Sequence, residues 1–184
     1  MSRPAVFLDR DGVLNRAFLQ SDGKTHPPAN PEELELLPGV IEACMMLKKA
    51  GFLLVVVTNQ PDVARGTQCR EVVEAIHDRL RHLVPVDDIR VCYHDNTDNC
   101  ACRKPKSGLL LAAVQDRGID LSRSFMVGDR WTDIEAGRRA GCQTVLLGNS
   151  TSAGLSGINH PNFQASSMLE ATRWILSNTW LTLR

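Results

Sequence analysis

Ala5-Val6-Phe7-Leu8-Asp9-Arg10-Asp11-Gly12-Val13-Leu14-Asn15 is the stretch on which the reading of this chain turns. Its apolar opening reads as a strand buried on both faces, because a half-exposed strand would alternate apolar and polar residues. Two acids one residue apart, followed by glycine, mark the exit from strand to loop. In an open parallel sheet ligands bind at the carboxyl ends of the strands, so this exit is the first place to look for chemistry.

Outward from it, the segment from about Arg16 to Pro38 carries Pro27, Pro28, Pro31 and Pro38 and reads as a loop near the acids. Val40, Ile41, Cys44 and Leu47 follow helical spacing up to Gly51, and Phe52 to Val57 is a second buried strand ended by Thr58-Asn59-Gln60. A strand, helix, strand order implies a right-handed crossover and a parallel pair. Val72, Val73, Ile76, Leu80 and Leu83 mark a helix before Pro85; Ile89 to Tyr93 is a third strand; Ser107 to Arg117 is a helix closed by Gly118. Ser124 to Gly128 is a fourth strand, Thr132 to Ala140 a helix, and Gln143 to Leu147 a fifth strand. The tail from Gly148 to Gln164 is rich in Ser, Gly and Asn and reads as loop, with a last helix from Ala165 to Ser177. The alternation predicts an α/β doubly wound parallel sheet in a single domain over residues 1–184. No stretch of roughly 50 residues is free between the motifs to form a large cap domain, so an open site shaped by loops is expected.

Composition narrows the function. Lys plus Arg equals Asp plus Glu at 21 each, so no net field selects nucleic acid or an anionic membrane. No apolar segment approaches the roughly 20 residues of a membrane span, and no cleavage site precedes the first strand, so a soluble cytoplasmic protein is expected. Of the six cysteines, Cys92, Cys100 and Cys102 crowd together with His94. Three thiolates and an imidazole form the closed tetrahedral donor set of structural zinc, which would brace a short polar loop rather than catalyse. Cys44, Cys69 and Cys142 read as buried core thiols, and Trp131, Trp174 and Trp180 as packing residues. His26, His77, His82 and His160 have no matched partners and read as exposed or structural.

The strand exits together are acidic with one lysine: Asp9 and Asp11, Thr58, Lys104 just beyond the cysteines, then Asp129 and Asp133. Carboxylates converging on one edge repel one another unless a cation sits among them, and hard oxygen donors favour Mg²⁺, which in turn invites phosphate oxygens. Thr58 and Lys104 suit a phosphoryl group. Taken singly each is unremarkable: an Asp-x-Asp pair is commonly a solvated turn, and Asp133 sits where any acid favours the start of a helix.

In order, Asp9-Arg10-Asp11-Gly12-Val13, Thr58-Asn59-Gln60, Lys104 within Cys102-Arg103-Lys104-Pro105, and Gly128-Asp129-Arg130-Trp131-Thr132-Asp133 resemble the four motifs of the haloacid dehalogenase-like phosphatases, over about residues 5 to 148. With Ala64-Arg65-Gly66 and the metal cluster, the pattern is similar to the D-glycero-D-manno-heptose-1,7-bisphosphate phosphatase and histidinol-phosphate phosphatase branch. The compact cluster, with five residues between His94 and Cys100, is more like the histidinol-phosphate relatives, whereas Pro38-Gly39 and Ala64-Arg65-Gly66 favour the heptose type. Pro61-Asp62 departs from the Ser-Gly more usual after such a glutamine.

The resemblance implies a two-step hydrolysis. Asp9 is the nucleophile, Asp11 the acid and then the base, and Thr58 and Lys104 hold the phosphoryl oxygens. Mg²⁺ is held by Asp9, the Asp11 backbone carbonyl and Asp129, with Asp133 behind them. Arg103, Asn59 and Gln60 contact the substrate. The expected partner is a small phosphorylated sugar or similar metabolite, with no nucleic acid and no membrane, and the chain acting as a monomer. A reading of another class is a zinc-braced binding module without turnover, which has no need of a nucleophile and an acid together.

Overall fold

The structure, a computed structural model, describes residues 2–19, 23, 25–148 and 160–179. Among these, the strands are β1 (Ala5–Leu8), β2 (Phe18–Leu19), β3 (Thr25–His26), β4 (Leu53–Asn59), β5 (Asp88–Cys92), β6 (Phe125–Gly128), β7 (Gln143–Leu147) and β8 (Phe163–Ala165). The α-helices are α1 (Val40–Lys49), α2 (Arg70–Leu83), α3 (Gly108–Arg117), α4 (Trp131–Ala140) and α5 (Met168–Thr179).

Six strands form one parallel sheet in the order β5-β4-β1-β6-β7-β8. β1 is central, and all four of its residues are buried. Its alternate side chains supply two cores. Val6 and Leu8 join Val40, Ala43, Cys44 and Leu47 of α1, Ile76 and Leu80 of α2, and Met168, Ala171 and Ile175 of α5. Ala5 and Phe7 join Leu109, Leu110 and Ala113 of α3 and Ala136 and Ala140 of α4. Helices on both faces explain why β1 and β4 read as continuous apolar runs. Each fully buried Val, Leu or Phe side chain contributes about 1.5–3 kcal/mol, and an exposed face would forfeit half of them.

The chain builds outward from β1 to β4 and β5, then returns to lay β6 on the other side of β1. That reversal is a topological switch point, where the connections part and leave a crevice at the carboxyl ends. Register brings the chemistry level. Leu8 pairs with Val56 and with Val127, so Asp9, Thr58 and Asp129 emerge one or two positions further on, at the same edge of three adjacent strands.

The structure departs from the sequence expectations in several places. The segment from Arg16 to Pro38 is mostly loop but contains the antiparallel β2–β3 hairpin, whose two-residue strands are too short to show a periodicity. The tail adds a sixth sheet strand, β8, where loop was expected to Gln164; its hydrogen bonds come from pairing with β7, not from local pattern. Residues 149–159 of that expected loop lie outside the described residues, as does Trp180. Cys69 is not a core thiol: it is exposed, at the start of α2. Trp131 is 40% exposed rather than packed, whereas Trp174 stacks on Phe163 at 5.0 Å. No described helix is long and apolar enough to cross a membrane.

Candidate active site

A cleft of about 570 Å³ opens at the carboxyl edge of β1, β4 and β6. Asp9, Asp11, Thr58, Asn59, Gln60, Arg103, Lys104 and Asp133 line it, so the elements deliver all but Asp129 of the acid and phosphate-holding residues to its wall. Residues of the β2–β3 hairpin, Thr25 and His26 among them, form its outer rim with Arg65 and Arg130. A larger hollow of about 760 Å³ along α1, lined by residues such as Leu36, Ile41 and Met45, carries none of this chemistry.

At the floor, Lys104 is 3% exposed and its ammonium bridges two carboxylates, Asp9 Oδ1 at 2.8 Å and Asp133 Oδ1 at 2.6 Å. It also donates to the Val57 carbonyl at 2.8 Å. Burial opposes its charge, but Asp133 and Asp9 outweigh burial and raise its pKa. Asp9 goes the other way from a surface acid. Burial pushes it up to about 7, Lys104 opposes this, and the neighbouring charges of Asp133 and Asp129 add to the rise. Asp129 is likewise pushed up to about 6 by burial and by Asp133. Oxygens of Asp9, Asp129 and Asp133 lie within 4.8 Å of one another. Three converging carboxylates with one ammonium leave negative charge in excess, and a hard divalent cation fits that donor set.

The backbone makes room for this crowding. Gly12 has a φ of +84°, and a Cβ there would lie 2.3 Å from Asp129 Oδ2. At Gly128 a Cβ would lie 2.1 Å from the Asp133 Cβ, so a side chain at either position would displace an acid. Asp133 is further fixed by accepting the Arg130 N–H at 3.1 Å.

Asp11 stands in a different environment two residues beyond Asp9. Arg10 forks it, Nε to Oδ1 at 3.1 Å and Nη2 to Oδ2 at 2.9 Å. Asn15 adds a second donor to Oδ1 and Gln60 a second to Oδ2, each at 2.9 Å. Burial would raise the Asp11 pKa, but the Arg10 charge and these donors overcome it and hold the carboxyl below its ordinary value. Asp9 and Asp11 are thus separated electrically although they are sequence neighbours. The Arg10 guanidinium is itself fully buried and completes its contacts on His77 Nε2 at 2.9 Å. Burial and Arg10 push His77 down to about 4, so its ring is neutral at pH 7.

Lys104 is presented by a clamped loop. Asn59 donates to the Lys104 carbonyl and accepts the Lys104 N–H, both at 3.1 Å, ahead of a cis Lys104–Pro105 bond. Arg103 donates to Asn96 Oδ1 at 2.8 Å and to the His94 carbonyl at 3.2 Å, which ties it to the cysteine loop. There the sulfurs of Cys92, Cys100 and Cys102 lie 3.2–3.7 Å apart, and His94 Nδ1 is 3.6 Å from Cys92 and 3.3 Å from Cys102. A tetrahedron with metal–sulfur bonds of about 2.3 Å has edges of roughly 3.8 Å, so these donors fit a zinc ion. Burial, with Cys102 adding to it, raises the Cys92 pKa. None of the six cysteines is in a disulfide.

The structure therefore gathers every residue singled out at the strand exits, and adds some that sequence reasoning passed over. Asn59 and Gln60 line the cleft, but their amides are committed to the Lys104 backbone and to Asp11 and Thr58. Arg10, Asn15 and His77 emerge as the surroundings of Asp11. A signal for His77 was present: it lies on the buried stripe Val73, Ile76, Leu80 of α2, where an unsatisfied imidazole is costly.

Comparison with known proteins follows the same lines. Residues 101–171 match the HAD-hydrolase-like family model. The D-glycero-D-manno-heptose-1,7-bisphosphate 7-phosphatase of Thermosynechococcus vestitus is 36% identical over 97% of this chain and 98% of its own length. The D-glycero-beta-D-manno-heptose-1,7-bisphosphate 7-phosphatase of Pseudomonas aeruginosa is 43% identical over 80% of this chain and 82% of its own. The crystal structure of D,D-heptose 1,7-bisphosphate phosphatase from B. bronchiseptica, complexed with magnesium and phosphate, superposes with a TM-score of 0.81 at 32% identity, covering 95% of this chain and 99% of that one. With the strand-end acids, the bridging lysine and the switch-point crevice already in place, these likenesses over nearly the whole chain show that it belongs to the HAD-like phosphatase family that includes the D-glycero-D-manno-heptose-1,7-bisphosphate 7-phosphatases.

Proposed function

We propose that this chain is a Mg²⁺-dependent phosphomonoester hydrolase that removes the 7-phosphate of D-glycero-D-manno-heptose 1,7-bisphosphate through an aspartyl-phosphate intermediate. The observation that carries the reaction class is the pairing of two unlike acids: Asp9 against the Lys104 ammonium at 2.8 Å, and Asp11 enclosed by Arg10, Asn15 and Gln60. The substrate follows from the named relatives at 36% and 43% identity.

In the first half, an oxygen of Asp9 attacks phosphorus and the bond to the sugar oxygen breaks. Lys104 and Thr58 hold the phosphoryl oxygens, stabilising charge by contacts already in place. Asp11 gives its proton to the departing sugar oxygen. It binds that proton when a phosphate dianion lies beside it, since a nearby negative charge raises a carboxyl pKa. In the second half water attacks the phosphoaspartate, Asp11 takes the water's proton, and the bond to Asp9 breaks to release phosphate. Splitting one displacement into two lowers each barrier.

Asp9, Asp129 and the Asp11 backbone carbonyl would hold Mg²⁺, with Asp133, engaged by Lys104 and the Arg130 N–H, in the shell behind. When bound, the cation supplies charge neutralisation between nucleophile and phosphate. Cys92, His94, Cys100 and Cys102 would hold a structural zinc, and Arg103, anchored on that loop, reaches the substrate beyond the reacting phosphate. A thiol set of this kind needs a reducing compartment, which supports a cytoplasmic location. We further propose that the chain is one domain and works as a monomer on a small metabolite.

The test is phosphate release from heptose 1,7-bisphosphate, histidinol phosphate and a 3′-phosphorylated oligonucleotide with Mg²⁺, for the wild type and Asp9→Asn. Release from the heptose substrate in preference to the others, abolished by Asp9→Asn, is expected. Histidinol phosphate as the better substrate would reassign the specificity, and release from none would sink the hydrolase.

A further inference from the structure

We propose that His77 is a positioning residue for this reaction: as the hydrogen-bond acceptor that fixes the Arg10 guanidinium, it sets the orientation of Asp11 toward the cleft. The proposal rests on the reading of Asp11 as acid and base given above.

Arg10 holds Asp11 at both oxygens, but a two-pronged contact between two side chains does not by itself fix where the pair points. Asn15 and Gln60 also donate to the Asp11 oxygens, and a further contact fixes the guanidinium end of the pair. Arg10 Nη1 meets His77 Nε2 at 2.9 Å, and His77 comes from α2, 67 residues away in sequence. A guanidinium has donors and no acceptor, so Nε2 must offer its lone pair and the ring proton must sit on Nδ1. Nδ1 lies 3.5 Å from Glu74 Oε2, one helical turn earlier on α2. Glu74 in turn accepts the Tyr93 hydroxyl, and the Arg70 guanidinium carbon lies 4.7 Å over the Tyr93 ring. Hydrogen bonds thus run from Asp11 through Arg10 to His77, where the approach of Nδ1 to Glu74 is an electrostatic contact and not a hydrogen bond; Glu74 in turn leads to Tyr93, which stands in sequence between two of the cysteine-loop ligands, Cys92 and His94.

The described contacts give this imidazole no other task. His77 does not line the cleft, and it is 0% exposed on the apolar stripe of α2, where an aliphatic side chain would pack without a polar group to satisfy. Take it away and a buried guanidinium N–H loses its partner, so the fork on Asp11 is free to rotate toward another acceptor.

The test separates positioning of the acid from general support of the fold. kcat/KM reports the steps through departure of the leaving group. A sugar oxygen needs the Asp11 proton to depart, whereas the nitrophenolate of p-nitrophenyl phosphate departs as a stable anion. His77→Leu is expected to lower kcat/KM for heptose 1,7-bisphosphate by about 10- to 100-fold, part of the roughly 10²–10⁴-fold that a positioned acid contributes. The value for p-nitrophenyl phosphate should change by less than about threefold, since that step needs no acid. His77→Gln, which restores an acceptor, should bring the sugar substrate back to within about threefold of wild type by the same reasoning. His77→Phe fills the ring volume without an acceptor and should behave as His77→Leu. Equal losses on both substrates, no loss on the sugar substrate, or no recovery with glutamine would overturn the proposal. Failure of both apolar variants to fold would make His77 structural and overturn it as well. If the wild type hydrolyses neither substrate, it is the proposed function that fails, before any variant is compared.

Discussion

Exchanging His77 for glutamine should make the protein more resistant to mild acid. In the folded chain burial and the Arg10 charge push the imidazole from its ordinary value of 6.5 down to about 4. Unfolded, it takes a proton near 6.5. Between those values the unfolded state binds more protons than the folded one, so His77 withdraws stability as pH falls. Its contribution is fully present above pH 6.5 and is lost on the way to pH 4. Integrating from pH 7.5 to 5.0, the loss assigned to this one group is about 2 kcal/mol. Glutamine does not titrate and keeps an acceptor for Arg10. Urea unfolding of both proteins at pH 7.5 and 5.0 reads the difference, because the groups remote from His77 titrate alike in each and cancel. The wild type should lose about 2 kcal/mol more than His77→Gln over that interval. Parallel pH dependences would mean that the imidazole is not buried neutral against Arg10, and the account of how Asp11 is held would fall with it.

Other expectations are more direct. Since Asp9 and Asp129 are raised to about 7 and about 6, Mg²⁺ must displace protons from them below neutrality. Calorimetric titration in buffers of different ionisation enthalpy should show proton release on binding at pH 6, and affinity rising toward pH 8; pH-independent binding would contradict the crowded-carboxylate site. Elemental analysis should find about one zinc per chain, and Cys102→Ser should abolish it and lower the melting temperature. Gly128→Ala should destabilise by about 1–3 kcal/mol in chemical denaturation and impair Mg²⁺ binding, because the new methyl overlaps Asp133. A fully active and stable alanine variant would show that Asp133 is not held where Gly128 admits it.

The alternation of strands and helices, the acids at the ends of β1 and β6 and the cysteine–histidine cluster are all legible in the amino-acid sequence. Each is a short-range pattern: an apolar run, a helical stripe closed by glycine, or ligands a few residues apart. The antiparallel pairing of Phe18–Leu19 with Thr25–His26 and the strand β8 are not, since elements of two or three residues carry no periodicity and form because a neighbour supplies their hydrogen bonds. Cys69 and Trp131 looked like core residues by type, but their faces of the chain meet solvent.

In the chemistry the division is similar. From sequence alone Asp9 and Asp11 were a pair of acids with different expected tasks, and His77 an unassigned histidine in a helical stripe. Only the tertiary structure decided what makes the two acids different. Lys104 and the other carboxylates surround one, while Arg10, Asn15 and Gln60 enclose the other, and the partner of Arg10 arrives from α2. A carboxyl group's character depends on burial and on the charges and donors within a few ångströms, and here Lys104 and Asp133 reach Asp9, and Gln60 reaches Asp11, from distant parts of the chain brought together by the order of strands in the sheet.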